Sequence, residues 1–170
     1  MSDCAESEPV DSTRTSGSQK YAIRGALPDD IQGLVALCGE HAIFERAAYD
    51  AADKSVRLGK ALFSAVPRLH AWVVVIDGNL IGYATAAPEY STWSAAEYLH
   101  MDCLYVKAEH RGAGIGAALM MSVVQLARER GYAEVQWQTP SWNADACRFY
   151  RRQGGVAQEK YRFVLRTSDL

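Results

Sequence analysis

The sequence has 170 residues and a formal charge of −2, with 49% hydrophobic and 22% charged residues. This supports one domain with a real core and a soluble globular balance, and it excludes the basic footprint of a nucleic-acid binder. No apolar run approaches the ~20 residues of a membrane span, and the N-terminus lacks the apolar core of a signal peptide. Cys4, Cys38, Cys103 and Cys147 are scattered without a C-x-x-C pair, so neither a zinc site nor a disulfide framework is indicated, and reduced thiols in a cytoplasmic compartment are the simpler reading.

Residues 1–19 are rich in Ser, Thr, Asp and Glu and are expected to form a disordered tail. A short strand over Tyr21–Arg24 opens the fold. Pro28, Asp29 and Asp30 suit a first helical turn, and Ile31, Leu34, Val35, Leu37 and Cys38 follow at helical spacing toward Phe44. A second helix is expected over Asp53–Ala65. Ala71–Ile76 is an apolar run that suits a buried strand, Asp77-Gly78-Asn79 a hairpin turn, and Leu80–Ala87 the returning strand. Residues 88–97 are expected to be a loop carrying Tyr90, Trp93 and Glu97. Tyr98–Val106 is the central strand, with Tyr98, His100, Asp102 and Leu104 on one face if the alternation is unbroken.

Three glycines then alternate in the run R-G-A-G-I-G, from Arg111 to Gly116, before an apolar helical stretch that ends at Arg130. Strand, loop without side-chain bulk and helix N-terminus is an arrangement that binds phosphate, because the backbone can approach closely and the first N–H groups are free. A tight turn with no ligand remains the alternative. No Lys-Ser or Lys-Thr follows, so this is not a P-loop, and the spacing fits a dinucleotide fingerprint poorly. Met120, Met121 and Val124 lie away from the face of Ile115 and Leu119 and call for a further burial partner. Glu134–Thr139 reads as a strand, Asn143 as the N-cap of a helix with Ala146, Phe149, Tyr150 and Gln153 inward, and Tyr161–Leu165 as a closing strand.

The glycine loop resembles the acyl-CoA loop of the GNAT family of N-acetyltransferases, [QR]-x-x-G-x-[GA]. The run M-D-C-L-Y-V before it is similar to that family's L-E-D-L-Y-V. The run N-A-D-A-C-R-F-Y-R-R-Q-G-G resembles N-x-x-A-x-x-F-Y-x-x-x-G-A, found in its polyamine and small-amine branch. The resemblance covers about residues 20–166. It implies an α/β (α+β) fold with a mixed sheet of six to seven strands and about four helices, in the order β-α-α-β-β-β-α-β-α-β, and a single N-acetyltransferase domain over 20–170.

The resemblance also implies acetyl-CoA as co-substrate, a small-molecule amine as acceptor and a homodimer, with no metal, nucleic acid or membrane involved. A protein acetyltransferase or a CoA-binding sensor is the alternative. By resemblance, CoA lies against Leu104, Tyr105 and Val106, the N–H groups of Arg111, Gly112, Ala113, Gly114, Ile115, Gly116 and Ala117, and Asn143 and Phe149. Tyr150 holds its proton at neutral pH and is the implied acid for the departing thiolate, against the plain reading of a core tyrosine. Asp102 stands where the branch carries Glu and is the implied base, acting through water, with His100 as its rival. Glu45, Tyr90, Trp93, Glu97 and His100 fall in segments that border the acceptor in relatives.

Overall fold

The structure, a computed structural model, describes residues 12–16 and 19–167. The chain divides after Gln138 into two compact units, which are taken in turn.

The first unit is a six-stranded sheet in chain order. Its strands are β1 (Ser12–Ser16), β2 (Gln19–Gly25), β3 (His70–Ile76), β4 (Asn79–Ser91), β5 (Ala96–Val106) and β6 (Val135–Trp137). All neighbours are antiparallel except β5 and β6, which run parallel across the crossover helix. Helices α1 (Ile31–Phe44) and α2 (Lys54–Phe63) join β2 to β3, and α3 (Ile115–Arg130) joins β5 to β6. The mixed sheet with flanking helices agrees with the expected fold class.

Directly opposed residues share a face, which sorts the sheet. Val73, Tyr83 and Tyr105 pack with Leu34 and Leu37 of α1 and Leu62 of α2 in one cluster. The opposite face lies against α3, whose Leu119 and Val123 are fully buried. Burying a leucine of this kind is worth about 1.5–3 kcal/mol. Met120 is buried in the single chain, Met121 is exposed and Val124 half-buried, so Met120 needs no second subunit.

Four expectations are corrected. Ser12–Ser16, placed in the tail, pair with Ile23–Gln19 as a strand, where Thr13 and Thr15 suit extended backbone and the edge of β2 offers free ladder groups; residues 1–11, 17 and 18 lie outside the described residues. The loop expected over 88–97 is mostly strand, because β4 continues to Ser91 and β5 starts at Ala96, with Tyr90 opposite Glu97. Pro88 is tolerated there because β4 has already passed the end of its pairing with β3 at Ala86, so no ladder donor is lost on that side.

The face alternation of β5 is also broken. Cys103 stands opposite Thr85 and Met101 opposite Ala86, so Asp102 is an extra residue in β5, a β-bulge. Leu104, opposite Ala84, therefore turns to the α3 face, while Cys103 and Tyr105 take the α1 face. In the second unit, residues 155–166 form no strand, and Tyr161 is 92% exposed. Alternating side chains make a strand only where a neighbouring ladder takes up the backbone groups.

That second unit contains α4 (Ala144–Arg152), capped by Asn143, whose Oδ1 accepts from the Ala146 N–H at 3.1 Å. Ala146, Phe149 and Tyr150 are half-buried along one face, and the two rings meet edge-on at 5.1 Å. No described helix is long and apolar enough to cross a membrane.

Candidate active site

Residues 34, 38, 41 and 45 share one stripe of α1 by their i, i+3 and i, i+4 spacing. The stripe starts in the core at Leu34, which is 1% exposed, and ends at the half-buried Glu45. Between them, Cys38 and His41 line a cavity of about 470 Å3. The sheet contributes Tyr83, Asp102 and Cys103, and the start of α2 contributes Lys54 and Arg57. A volume of this size suits a small molecule.

The bulge explains why Asp102 is here. Cys103 faces α1, and the extra residue brings the Asp102 carboxylate to the same cavity instead of sending successive side chains to opposite faces. The Cys103 thiol donates to Asp102 Oδ2 at 3.6 Å. No protein cation pairs with it among the described residues. Asp102 is an open acceptor.

The cavity floor holds its protons. His41 Nδ1 lies 3.0 Å from the Tyr83 hydroxyl and Nε2 lies 3.5 Å from Glu45, while the ring stacks on Tyr105 at 5.0 Å. Burial lowers the pKa of His41 against the opposing pull of Glu45. A neutral ring that accepts from Tyr83 and points Nε2–H at Glu45 satisfies all three groups. Burial raises the Tyr83 phenol and the Cys38 thiol above their ordinary values and pushes Cys103 up to about 12. These three groups stay protonated at neutral pH, which leaves the carboxylates as the anionic acceptors.

Past the cavity, β5 runs along an open edge. Its register with β6 covers only Leu99–Met101, so from Asp102 onward the two strands no longer pair. The Lys107 N–H bonds to Ile81 O at 2.9 Å on the β4 side, so alternation turns the Val106 N–H to the open edge. Gly82 allows this close approach of β4, since a Cβ there would lie 2.8 Å from Tyr105 O.

The open edge leads into the glycine loop. Gly112 and Gly114 have φ of 81° and 80°, and a Cβ at either would meet no atom within 4 Å. The space above the loop is clear, and the left-handed backbone disfavours any side chain that would occupy it. The first helical bond of α3 runs from Ala118 N–H to Gly114 O, which leaves the N–H groups of Ile115, Gly116 and Ala117 without helical acceptors. Open backbone donors at the positive end of a 16-residue helix fit a pyrophosphate. Arg111 differs from expectation in one respect. Its backbone N–H bonds to Ala108 O and its Nε to Val106 O at 2.8 Å, with the guanidinium 4.4 Å over the Phe44 ring. It braces the loop against α1.

With this geometry, the Acetyltransferase (GNAT) family model matches residues 37–155, well over half of the sequence. The chain belongs to that family. It is therefore an acetyl-CoA-dependent acyltransferase. It is 26% identical over 132 residues to a thialysine N-epsilon-acetyltransferase of Caenorhabditis elegans, covering 78% of this chain and 81% of that protein. It is 40% identical over 78 residues to a streptothricin acetyltransferase of Streptomyces lavendulae, covering 46% of this chain and 39% of that protein. A solved aminoglycoside N-acetyltransferase in complex with CoA shares the fold at a TM-score of 0.75 and 15% identity, covering 91% of this chain and 99% of that one.

Of the acceptor-side residues that the sequence singles out, Glu45 and Asp102 come together in the cavity. Tyr90, Trp93 and Glu97 do not. They sit toward the tip of the β4–β5 hairpin, where Trp93 is fully exposed. His100 lies opposite Ala87 and does not line the cavity. Sequence reasoning missed His41, Tyr83, Lys54 and Arg57. The helical spacing of His41 to Leu34, Leu37 and Glu45 was a usable signal; the convergence of α2 on β5 was not.

Proposed function

We propose that the protein transfers the acetyl group of acetyl-CoA to the primary amine of a small molecule by direct attack on the thioester. The observation that carries this is the bulged Asp102, an unpaired carboxylate in a cavity beside the open edge of β5. Acetyl-CoA supplies the activated acetyl group and the thiolate leaving group. The N–H groups from Gly112 to Ala117 hold the pyrophosphate, with Arg111 bracing the loop. Leu104, Tyr105 and Val106 provide the strand along which the cofactor arm runs, with Asn143 and Phe149 as further contacts. The Val106 N–H donates to the thioester carbonyl oxygen, where charge develops.

A primary amine of pKa ~10.4 is almost entirely protonated at pH 7, and freeing it costs about 4–5 kcal/mol. Asp102 takes that proton through water, and the amine nitrogen bonds to the carbonyl carbon. The C–S bond breaks with the electron pair going to sulfur, and Tyr150 gives its proton to that sulfur. The surplus proton on the new amide nitrogen passes through water to restore the Tyr150 hydroxyl. His100 is the less well placed rival for this role, since it does not line the cavity. Named relatives that act on thialysine and streptothricin support a small amine acceptor. The free thiols Cys38, Cys103 and Cys147 support a reducing, cytoplasmic setting. We also infer a homodimer, supported by the exposed apolar side chains Tyr161, Phe163, Val164 and Leu165. The experiment is thiol release from acetyl-CoA against a panel of amines, with light scattering at micromolar concentration. Absence of amine-stimulated release refutes the transfer, and a monomer refutes the dimer.

A further inference from the structure

The acceptor cavity carries two signs of charge. Glu45 at the end of α1 and Asp102 on β5 are acidic, whereas Lys54 and Arg57 at the start of α2 are basic. Among the described residues, neither cation pairs with either carboxylate. Glu45 is turned toward His41 Nε2, whereas Asp102, Lys54 and Arg57 form no ion pair among the described residues, which leaves charge of both signs open to a ligand.

The cationic end is built to stay in place. Lys54 Nζ sits 3.8 Å over the Tyr49 ring, and the Tyr49 hydroxyl is tied to Val35 O of α1 at 2.8 Å. A cation held by an aromatic face keeps its N–H donors available. Arg57 uses Nη2 to donate to Ala52 O at 2.9 Å, which leaves the rest of its fork free. The neighbouring Asp50 carboxylate accepts from the Ala52 N–H, and neither it nor Asp53 lines the cavity.

We propose that the acceptor is a zwitterion, a small amino acid whose carboxylate is held by Lys54 and Arg57 while its reacting amine faces Asp102 and Glu45. This rests on the acetyl-transfer reading and narrows its substrate. A plain diamine would set its second ammonium against two cations, at a cost that a carboxylate turns into attraction and hydrogen bonding. Lys54 and Arg57 are then the residues that select amino acids over polyamines.

Matched pairs that differ only in the carboxylate test this: lysine against cadaverine, and ornithine against putrescine. In the thiol-release assay the amino acid of each pair should show at least about tenfold higher kcat/KM. In Lys54→Gln and Arg57→Gln the ratio of amino acid to diamine should fall, mainly through KM for the amino acid. Lys54→Glu should reverse the preference. Calorimetric titration of lysine and cadaverine into the CoA-saturated protein reads the same discrimination without turnover. Lysine binding more tightly supports the zwitterion site even if no thiol is released, a result that would sink the transfer reading alone. Equal or tighter binding of cadaverine, or substitutions that weaken both members equally, would overturn the proposal while release with any amine upholds the transfer.

Discussion

On the proposed reading the glycine loop and the cavity beneath α1 serve one reaction, and they are built in opposite ways. The loop works with backbone: positive φ at Gly112 and Gly114 and the free N–H groups that begin α3. The cavity works with side chains that arrive from α1 and the segment after it, from α2, and from β4 and β5. A backbone device occupies consecutive positions, tolerates few residue types and writes itself into the sequence as a motif. A side-chain device is assembled by the fold, so its parts are separated in sequence by up to 65 positions, as between Cys38 and Cys103.

This contrast can be broken by substitution. The largest effect is expected at the loop. Gly114→Val puts a β-branched side chain at a φ of 80°, in the space where a pyrophosphate would approach, and should abolish acetyl-CoA binding by calorimetry. Gly114→Asn, which tolerates that backbone region better, should retain more of the fold and separate strain from occlusion. Parent-like affinity in Gly114→Val would show that the loop is only a turn.

Tyr150→Phe comes next. It removes one hydroxyl and should lower kcat about 10²-fold with CoA affinity intact. Unchanged turnover would return Tyr150 to a packing role beside Phe149. The smallest effect concerns the cavity floor. Because burial lowers the pKa of His41, the unfolded chain takes up its proton first as pH falls below ~6.5, so stability decreases on acidification. His70, lowered by its own burial, adds in the same direction. His41→Gln should flatten the fall of Tm between pH 7 and 5, and an unaltered slope would mean that His41 is not held neutral.

Legibility followed the same division. Helices α1 and α3 could be read almost to the residue, because Leu34 and Leu37, or Leu119 and Val123, repeat at the helical period over enough turns to outweigh local exceptions. The glycine loop was legible for the reason given above. Asp102 was found as a residue but misplaced as a neighbour. Alternation puts it with Leu104, whereas a bulge that depends on how β5 registers with β4 puts it with Cys103. Nothing local encodes that extra residue. The distal hairpin failed for another reason, since Pro88 reads as a breaker until the end of β3 is known. Tyr161–Leu165 failed because alternation specifies a face and not a partner strand. Lys54 and Arg57 look like ordinary charges of an amphipathic helix, and only the opposing Asp102 and Glu45 give them meaning.

Thiol release by wild type and Asp102→Asn, followed with acetyl-CoA and a primary amine from pH 6.5 to 9.5, bears most directly on the transfer chemistry. The wild type should show amine-dependent release across the range. Asp102→Asn should lose about 10²-fold in kcat/KM at the acid end and recover toward the wild type as the free amine becomes abundant. Superimposable pH–rate profiles would remove Asp102 as the base, and a wild type without amine-dependent release would contradict acetyl transfer to a small amine altogether.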